Sequence, residues 1–126
     1  MSIISNSDGR TEELLCKLGL TQYFDRIFDS KALGLAKPDP AIFRKALSDL
    51  GLQPADALFV GDVFEVDIRG ANLAGIGGIH LDPLRLYQDW PGVHLTDMRE
   101  LPDWLTRYMA VPSAFDFFPF QEPVRR

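Results

Sequence analysis

Residues 57–60 form an unbroken apolar run, Ala-Leu-Phe-Val, that stops at Gly61-Asp62. So short a run, ending in turn formers, predicts a strand buried on both faces. Such a strand needs cover above and below, and in an α/β fold helices supply it. The text on either side agrees. Residues 67–74 read as a helix, followed by Gly75, Gly77 and Gly78, and residues 79–81 as the next strand. Upstream, residues 1–5 are mostly apolar and run into the polar cluster Ser5, Asn6, Ser7, Asp8, Gly9, which predicts a strand opening into a loop.

Helices are expected between these strands. Residues 11–18 carry Glu12 and Glu13 in the first turn, with Leu14, Leu15 and Leu18 on one side and Gly19 as the stop. Burial of that side is expected, with Cys16 on it as core filling. A short strand is expected within residues 23–30. In Lys37-Pro38-Asp39-Pro40, Asp39 can cap a helix whose first position is Pro40, where a missing N–H costs nothing. That helix covers residues 41–50, with Ile42, Phe43, Ala46, Leu47 and Leu50 at helical spacing, and Gly51 closes it. Residues 94–108 predict one short strand and a helix turning Leu101, Trp104 and Leu105 inward. Strands alternating with helices at this pitch imply a parallel sheet, and such sheets bind ligands at the carboxyl ends of their strands. Ser5, Asn6 and Asp62 lie at such ends.

Composition narrows the functional classes. A length of 126 residues allows one domain with a real core. The net charge of −5 argues against broad nucleic-acid binding, which needs a concentrated basic face. Phosphate is still within reach, because a local Lys, a metal ion or a helix N-terminus can hold it. Cys16 is the single cysteine, so no disulfide can form within the chain, which fits a reducing compartment. No apolar run approaches a membrane span and the N-terminus lacks the look of a signal peptide, so the expected location is the cytoplasm.

Three segments carry candidate chemistry. Asp62 and Asp67 stand five apart across a predicted strand end and helix start, so both carboxylates can converge on one Mg²⁺ ion. Equally, Asp67 can cap its helix and Asp62 close a turn. Lys37 precedes a stiff Pro-Asp-Pro, which would let its ammonium be aimed at a phosphoryl group; the plainer alternative is a solvated loop lysine. Ser5 and Asn6 offer a hydroxyl and neighbouring donors to a phosphate oxygen, or simply make a turn. His80 and His94 lack metal-ligand spacing and predict no zinc site. Trp90 and Trp104 are expected to be packing residues.

The order Ile4-Ser5-Asn6, Lys37-Pro38-Asp39-Pro40, then Gly61-Asp62 with Asp67-Ile68 and Gly70-Ala71 resembles motifs two, three and four of the haloacid dehalogenase (HAD) superfamily. Leu18-Gly19-Leu20, Tyr23-Phe24-Asp25, Ile42-Phe43 and Ala46-Leu47 extend the likeness. It spans roughly residues 2–105 and is closest to the small capped phosphatases and dehalogenases. The resemblance implies a three-layer Rossmann-like α/β fold with a parallel sheet, in which residues 1–110 are a partial core domain and residues 111–126 an aromatic tail. It implies that Ser5 and Asn6 help bind the substrate phosphate, that Lys37 steadies phosphate and nucleophile, and that Asp62 and Asp67 serve Mg²⁺. A small phosphorylated metabolite is the implied substrate.

One part of the family pattern has no counterpart. HAD enzymes attack with the first Asp of an Asp-x-Asp pair at the end of their first strand. No Asp-x-Asp occurs in these 126 residues, and the helical cap between motifs one and two is missing too. The sheet is therefore expected to be incomplete, lacking its first central strand, and the isolated chain inactive. Unpaired strand edges invite a second copy of the chain or a strand-supplying partner. Asp116, in Phe115-Asp116-Phe117, is a weak substitute nucleophile, since Phe118 occupies the position of the second Asp. The alternatives are a non-catalytic phosphate- or metal-binding remnant and a fragment of a 2-haloacid dehalogenase, which needs no metal.

Overall fold

The computed structural model describes residues 1–110, and the chain divides into two units, Met1–Gln53 and the segment from Pro54 onward. The tail, including Asp116, lies outside the described residues. As expected, the fold is α/β and every strand pairing is parallel.

In the first unit β1 (Ile3–Ser5) pairs with β2 (Ile27–Asp29), with Ser5 opposite Asp29 at the carboxyl ends. Helix α1 (Thr11–Lys17) lies between them in sequence. A four-residue helix, α2 (Ser30–Leu33), follows β2 directly, with the Asp29 side chain accepting the N–H of Lys31. Helix α3 (Pro40–Leu50) starts and stops where local rules place it. Asp39 accepts the N–H of Ala41 at 2.9 Å, Pro40 fills the first turn, and Gly51 ends the helix at φ 66°, a conformation favouring glycine. Its face of Ile42, Phe43, Ala46 and Leu47 is buried. The Lys37–Pro38 peptide ahead of it is cis.

Helix α1 departs from expectation. It buries no residue: Leu14 is 57% exposed, Leu18 60%, and Cys16 is exposed rather than core filling. Helical spacing gathers apolar residues on one side, but burial requires a second element against that side. Only Leu15 on that side is even half-buried.

In the second unit β3 (Leu58–Gly61), β4 (Gly77–Leu81) and β5 (Val93–Leu95) form a sheet in that order. A π-helical turn, Phe64–Ile68, leads into α4 (Arg69–Leu73), so the helix begins earlier than residue 67 and Asp67 sits inside its first stretch. Alternation along β4 sorts the two faces. Ile79 packs with Leu95, Leu101, Trp104 and Tyr108, so α5 (Leu101–Met109) covers that face with Trp104 inward as expected. Gly78 and His80 point to the other face. A Cβ at Gly78 would press on Ile68 and Asn72, and the His80 ring meets Phe64 edge-on at 5.4 Å. This unit is thus helix, sheet, helix.

The predicted double burial of the 57–60 strand does not hold: each β3 residue is half-buried, and β4 is the strand buried at Gly77, Gly78, Ile79 and His80. β4 has a hydrogen-bonded neighbour on both sides, whereas β3 has one, β4, among the described residues. Among those residues no helix is long and apolar enough to cross a membrane.

Candidate functional site

Two of the sequence candidates in the first unit meet directly. Asn6, just past the end of β1, donates its side-chain N–H to the Lys37 carbonyl at 2.8 Å. In return its Oδ1 accepts the Lys37 N–H at 2.9 Å. A primary amide can hold both main-chain groups of one residue because it carries a donor and an acceptor side by side. Residues 31 positions apart are thereby tied at the backbone. Ser5, half-buried at the end of β1, lines an open groove of about 400 Å³ with Ser7, Asp8, Arg10 and Thr11 among its walls.

Asp29 organises the loop beyond Ser5 and was not evident from the sequence. Its carboxylate accepts the Ser7 hydroxyl, the Thr11 hydroxyl at 2.7 Å, the Thr11 N–H at 3.4 Å and the Lys31 N–H at 3.0 Å. The Ser7 hydroxyl is the largest influence and lowers its pKa; burial opposes that, and the Thr11 and Lys31 donors help carry the carboxyl down to about 2. The signal was local: a short apolar run ending in Asp29-Ser30 marks a strand end where an Asp can collect loop donors.

In the second unit Asp62 follows β3 with its side chain exposed, while Asp67 is buried. Asp67 Oδ2 accepts the Val63 N–H at 3.0 Å, reaching back to the loop rather than forward to cap a helix. Gly61 makes this approach possible, because a Cβ there would overlap the Asp67 side chain. The pair fits a hard divalent cation in donor chemistry: two carboxylates flank one short loop, one of them oriented by a main-chain N–H.

A further group assembles on the sheet face opposite α5. His80 and His94 are cross-strand partners in the β4–β5 ladder, and their Nδ1 atoms lie 3.1 Å apart. The two histidines lack ligand spacing in sequence, yet they meet, because strand register rather than sequence spacing sets their separation. Asp82 is two residues beyond His80, so it falls on the same side of the chain, and its carboxylate accepts the N–H groups of Leu86 at 3.0 Å and Tyr87 at 2.8 Å. Burial pushes its pKa up, but the Tyr87 and Leu86 N–H donors lead the opposing influences, and the carboxyl stays below its usual value. Phe64, Tyr87 and Trp90 pack around the histidines, with ring centroids 4.8 to 5.7 Å apart.

Comparison with known proteins agrees with this architecture. The family model for haloacid dehalogenase-like hydrolases matches residues 1–75. The mouse haloacid dehalogenase-like hydrolase domain-containing protein 3 is 42% identical over 76 residues, covering 60% of this chain and 30% of that protein. A phosphoserine phosphatase of Thermus thermophilus is 37% identical over 92 residues, covering 71% and 37% respectively. The crystal structure of a HAD phosphatase from Thermococcus onnurineus superposes with a TM-score of 0.74 at 27% identity, covering 82% of this chain and 49% of the other. The chain spans about a third of the length of the curated relatives it matches. On the matched family model, the parallel α/β architecture and these relatives, the chain belongs to the haloacid dehalogenase-like hydrolase family.

Proposed function

We propose that this chain supplies the phosphate- and metal-binding half of a Mg²⁺-dependent phosphomonoesterase acting on a small phosphorylated molecule. The observation that carries the reading is the double hydrogen bond between Asn6 and the Lys37 backbone. It fixes the Lys37 main chain to the end of the strand bearing Ser5, which is what a phosphate cradle requires of two distant segments. In this reading Ser5 donates its hydroxyl to a phosphoryl oxygen, and the Lys37 ammonium balances the anion's charge. Asn6 is a positioning residue. Asp62 and Asp67 hold Mg²⁺, and a bound Mg²⁺ would neutralise phosphoryl charge. The T. thermophilus relative, a phosphoserine phosphatase, favours phosphoester hydrolysis as the chemistry.

The nucleophile comes from a segment outside these 126 residues, since no Asp-x-Asp occurs in them. β1 and β3 each have one paired neighbour among the described residues, so each retains an edge on which a further strand can form. The source of that strand is a partner chain, a second copy or a longer product. The competing reading, a phosphate-binding remnant without catalysis, is favoured by the same missing motif.

Hydrolysis of an aryl phosphate with and without Mg²⁺ tests this. The isolated chain is expected to show no turnover. Added with a peptide comprising an apolar strand that ends in Asp-x-Asp-Gly-Thr, it should gain Mg²⁺-dependent turnover that Asp62→Ala or Lys37→Ala removes. Metal-dependent turnover by the isolated chain, lost in Asp62→Ala, would overturn the assignment of the nucleophile. No gain with the peptide, alongside phosphate binding that Lys37→Ala weakens, would favour the remnant.

A further inference from the structure

We propose that His80, His94 and Asp82 form a binding site for a borderline divalent transition metal, Zn²⁺ foremost, separate from the carboxylate pair Asp62 and Asp67. The argument starts from the outer nitrogens of the two rings. His80 Nε2 lies 3.1 Å from the Asp62 carbonyl, and His94 Nε2 lies 3.0 Å from the Trp90 carbonyl. A carbonyl can only accept, so each Nε2 carries a hydrogen and donates. In a neutral imidazole the other nitrogen then holds a lone pair. Both remaining nitrogens are Nδ1, and they face each other at 3.1 Å.

Two lone pairs brought this close call for a cation at the point where they converge. With metal–nitrogen bonds of roughly 2.0–2.1 Å, neighbouring ligands of a tetrahedral ion lie about 3.3 Å apart. The observed spacing is close to that. The donor set agrees as well, since imidazole nitrogen with carboxylate oxygen suits Zn²⁺ rather than the all-oxygen shell of Mg²⁺.

Asp82 supplies the third donor. One ligand atom from each of His80, Asp82 and His94 lies within 4.8 Å of the other two, so the carboxylate stands beside the paired rings. The surroundings are those of a built site. Metal-bound histidines characteristically donate their other N–H to a carbonyl or carboxylate, and both rings here do. His80 and Asp82 are buried, 1% and 5% exposed, while half-buried His94 leaves an approach for the ion and for a water in the fourth position.

The arrangement follows from strand geometry. Residues 80 and 82 share a face by alternation, and the parallel register places residue 94 beside residue 80. A metal here would join β4, β5 and, through the His80 N–H, the main chain of Asp62. Its role is structural: it would stiffen the loop that begins the Asp62–Asp67 segment. This inference does not depend on the phosphatase reading.

Titration of the purified chain with Zn²⁺, followed by calorimetry, and with Co²⁺, followed by visible absorption, decides the matter. The expected result is about one equivalent bound, with Co²⁺ bands typical of a four-coordinate nitrogen and oxygen site, and no displacement by excess Mg²⁺. His94→Gln should weaken Zn²⁺ by roughly 100-fold or more while the circular dichroism of the variant stays native. Asp82→Asn, which keeps one acceptor oxygen, should weaken it less, and Asp67→Asn should leave it unchanged. Zn²⁺ should also raise the melting temperature of the parent chain and not of His94→Gln. Absence of Co²⁺ bands, Zn²⁺ affinity unaltered by His94→Gln, or loss of the metal to Mg²⁺ would each overturn the proposal, leaving the two rings as a hydrogen-bonded pair.

Discussion

Replacing Asp29 by Asn tests whether a single carboxylate holds the loop after β1. The carboxyl at about 2, against an ordinary 3.8, contributes at most ~2.4 kcal/mol at neutral pH. Asp8 and Arg10 in the same loop are exposed, so solvent screens part of that and ~1–2 kcal/mol is the working figure. The amide adds a second penalty. Oδ2 accepts the Thr11 N–H and Oδ1 the Lys31 N–H, so either orientation of Asn aims an N–H₂ at a main-chain donor that cannot turn to accept, costing about 1 kcal/mol more. The expected destabilisation at pH 7 is therefore ~2–3 kcal/mol, a sizeable share of an ordinary domain's ~5–15 kcal/mol. Because the native pKa is lowered, the charge contribution is complete above pH 3.8 and fades as pH falls towards 2; about half should be gone by pH 3. Urea unfolding followed by far-ultraviolet circular dichroism at pH 7, 5 and 3 gives the difference between parent and variant directly. A difference that does not shrink between pH 5 and 3, or a carbon-13 titration placing the Asp29 carboxyl at or above 3.8, would refute the reasoning.

Two further perturbations probe the candidate residues. Gly61→Ala should cost about 1–3 kcal/mol, since its methyl must displace the Asp67 side chain, and Mg²⁺ affinity should fall with it; calorimetric Mg²⁺ titration and urea melts indistinguishable from the parent would contradict the close approach. Asn6→Ala removes both bonds to the Lys37 backbone and should cost about 1 kcal/mol, the site being exposed, while hydrogen exchange at the Lys37 amide accelerates. Asn6→Asp should restore protection of that amide but leave the Lys37 carbonyl facing a carboxylate, so its stability should stay below the parent's.

What the sequence revealed about the fold follows the range of each interaction. Helix α3 is legible to the residue because its determinants are local: Asp39 caps, Pro40 opens and Gly51 closes within a span of 13 positions. The family, too, is legible, because motif spacing is itself a sequence property. Burial is less so. Leu14 and Leu18 share a side of α1 as their spacing requires, yet that side is exposed, since periodicity says where apolar residues gather and not what covers them. Residues 57–60 fail in the same way: an apolar run records a strand's preference, but burial along it depends on neighbours on both edges, and β3 has one among the described residues.

The hidden part of the site is hidden for a related reason. Asn6 and Lys37 were both candidates, but their union is a contact across 31 residues that no local rule encodes. His80 and His94 are harder still. Fourteen positions apart, they match no ligand spacing, and only the parallel register of β4 and β5 makes them neighbours. Shifting that register by one residue would send His94 to the α5 side of the sheet and separate the rings. The three-residue length of β5 makes its register depend on side-chain contacts more than on ladder hydrogen bonds. Leu95 locks against Ile79 on one face and His94 against His80 on the other. The same alternation that gives this unit its core thus holds the two imidazoles in line, so a substitution that slips β5 should abolish Zn²⁺ binding without touching a ligand. Leu95→Asp, which places a charge in the core at a position 4% exposed, is the direct trial; retained Zn²⁺ affinity in that variant would mean the histidines are held by something other than strand register.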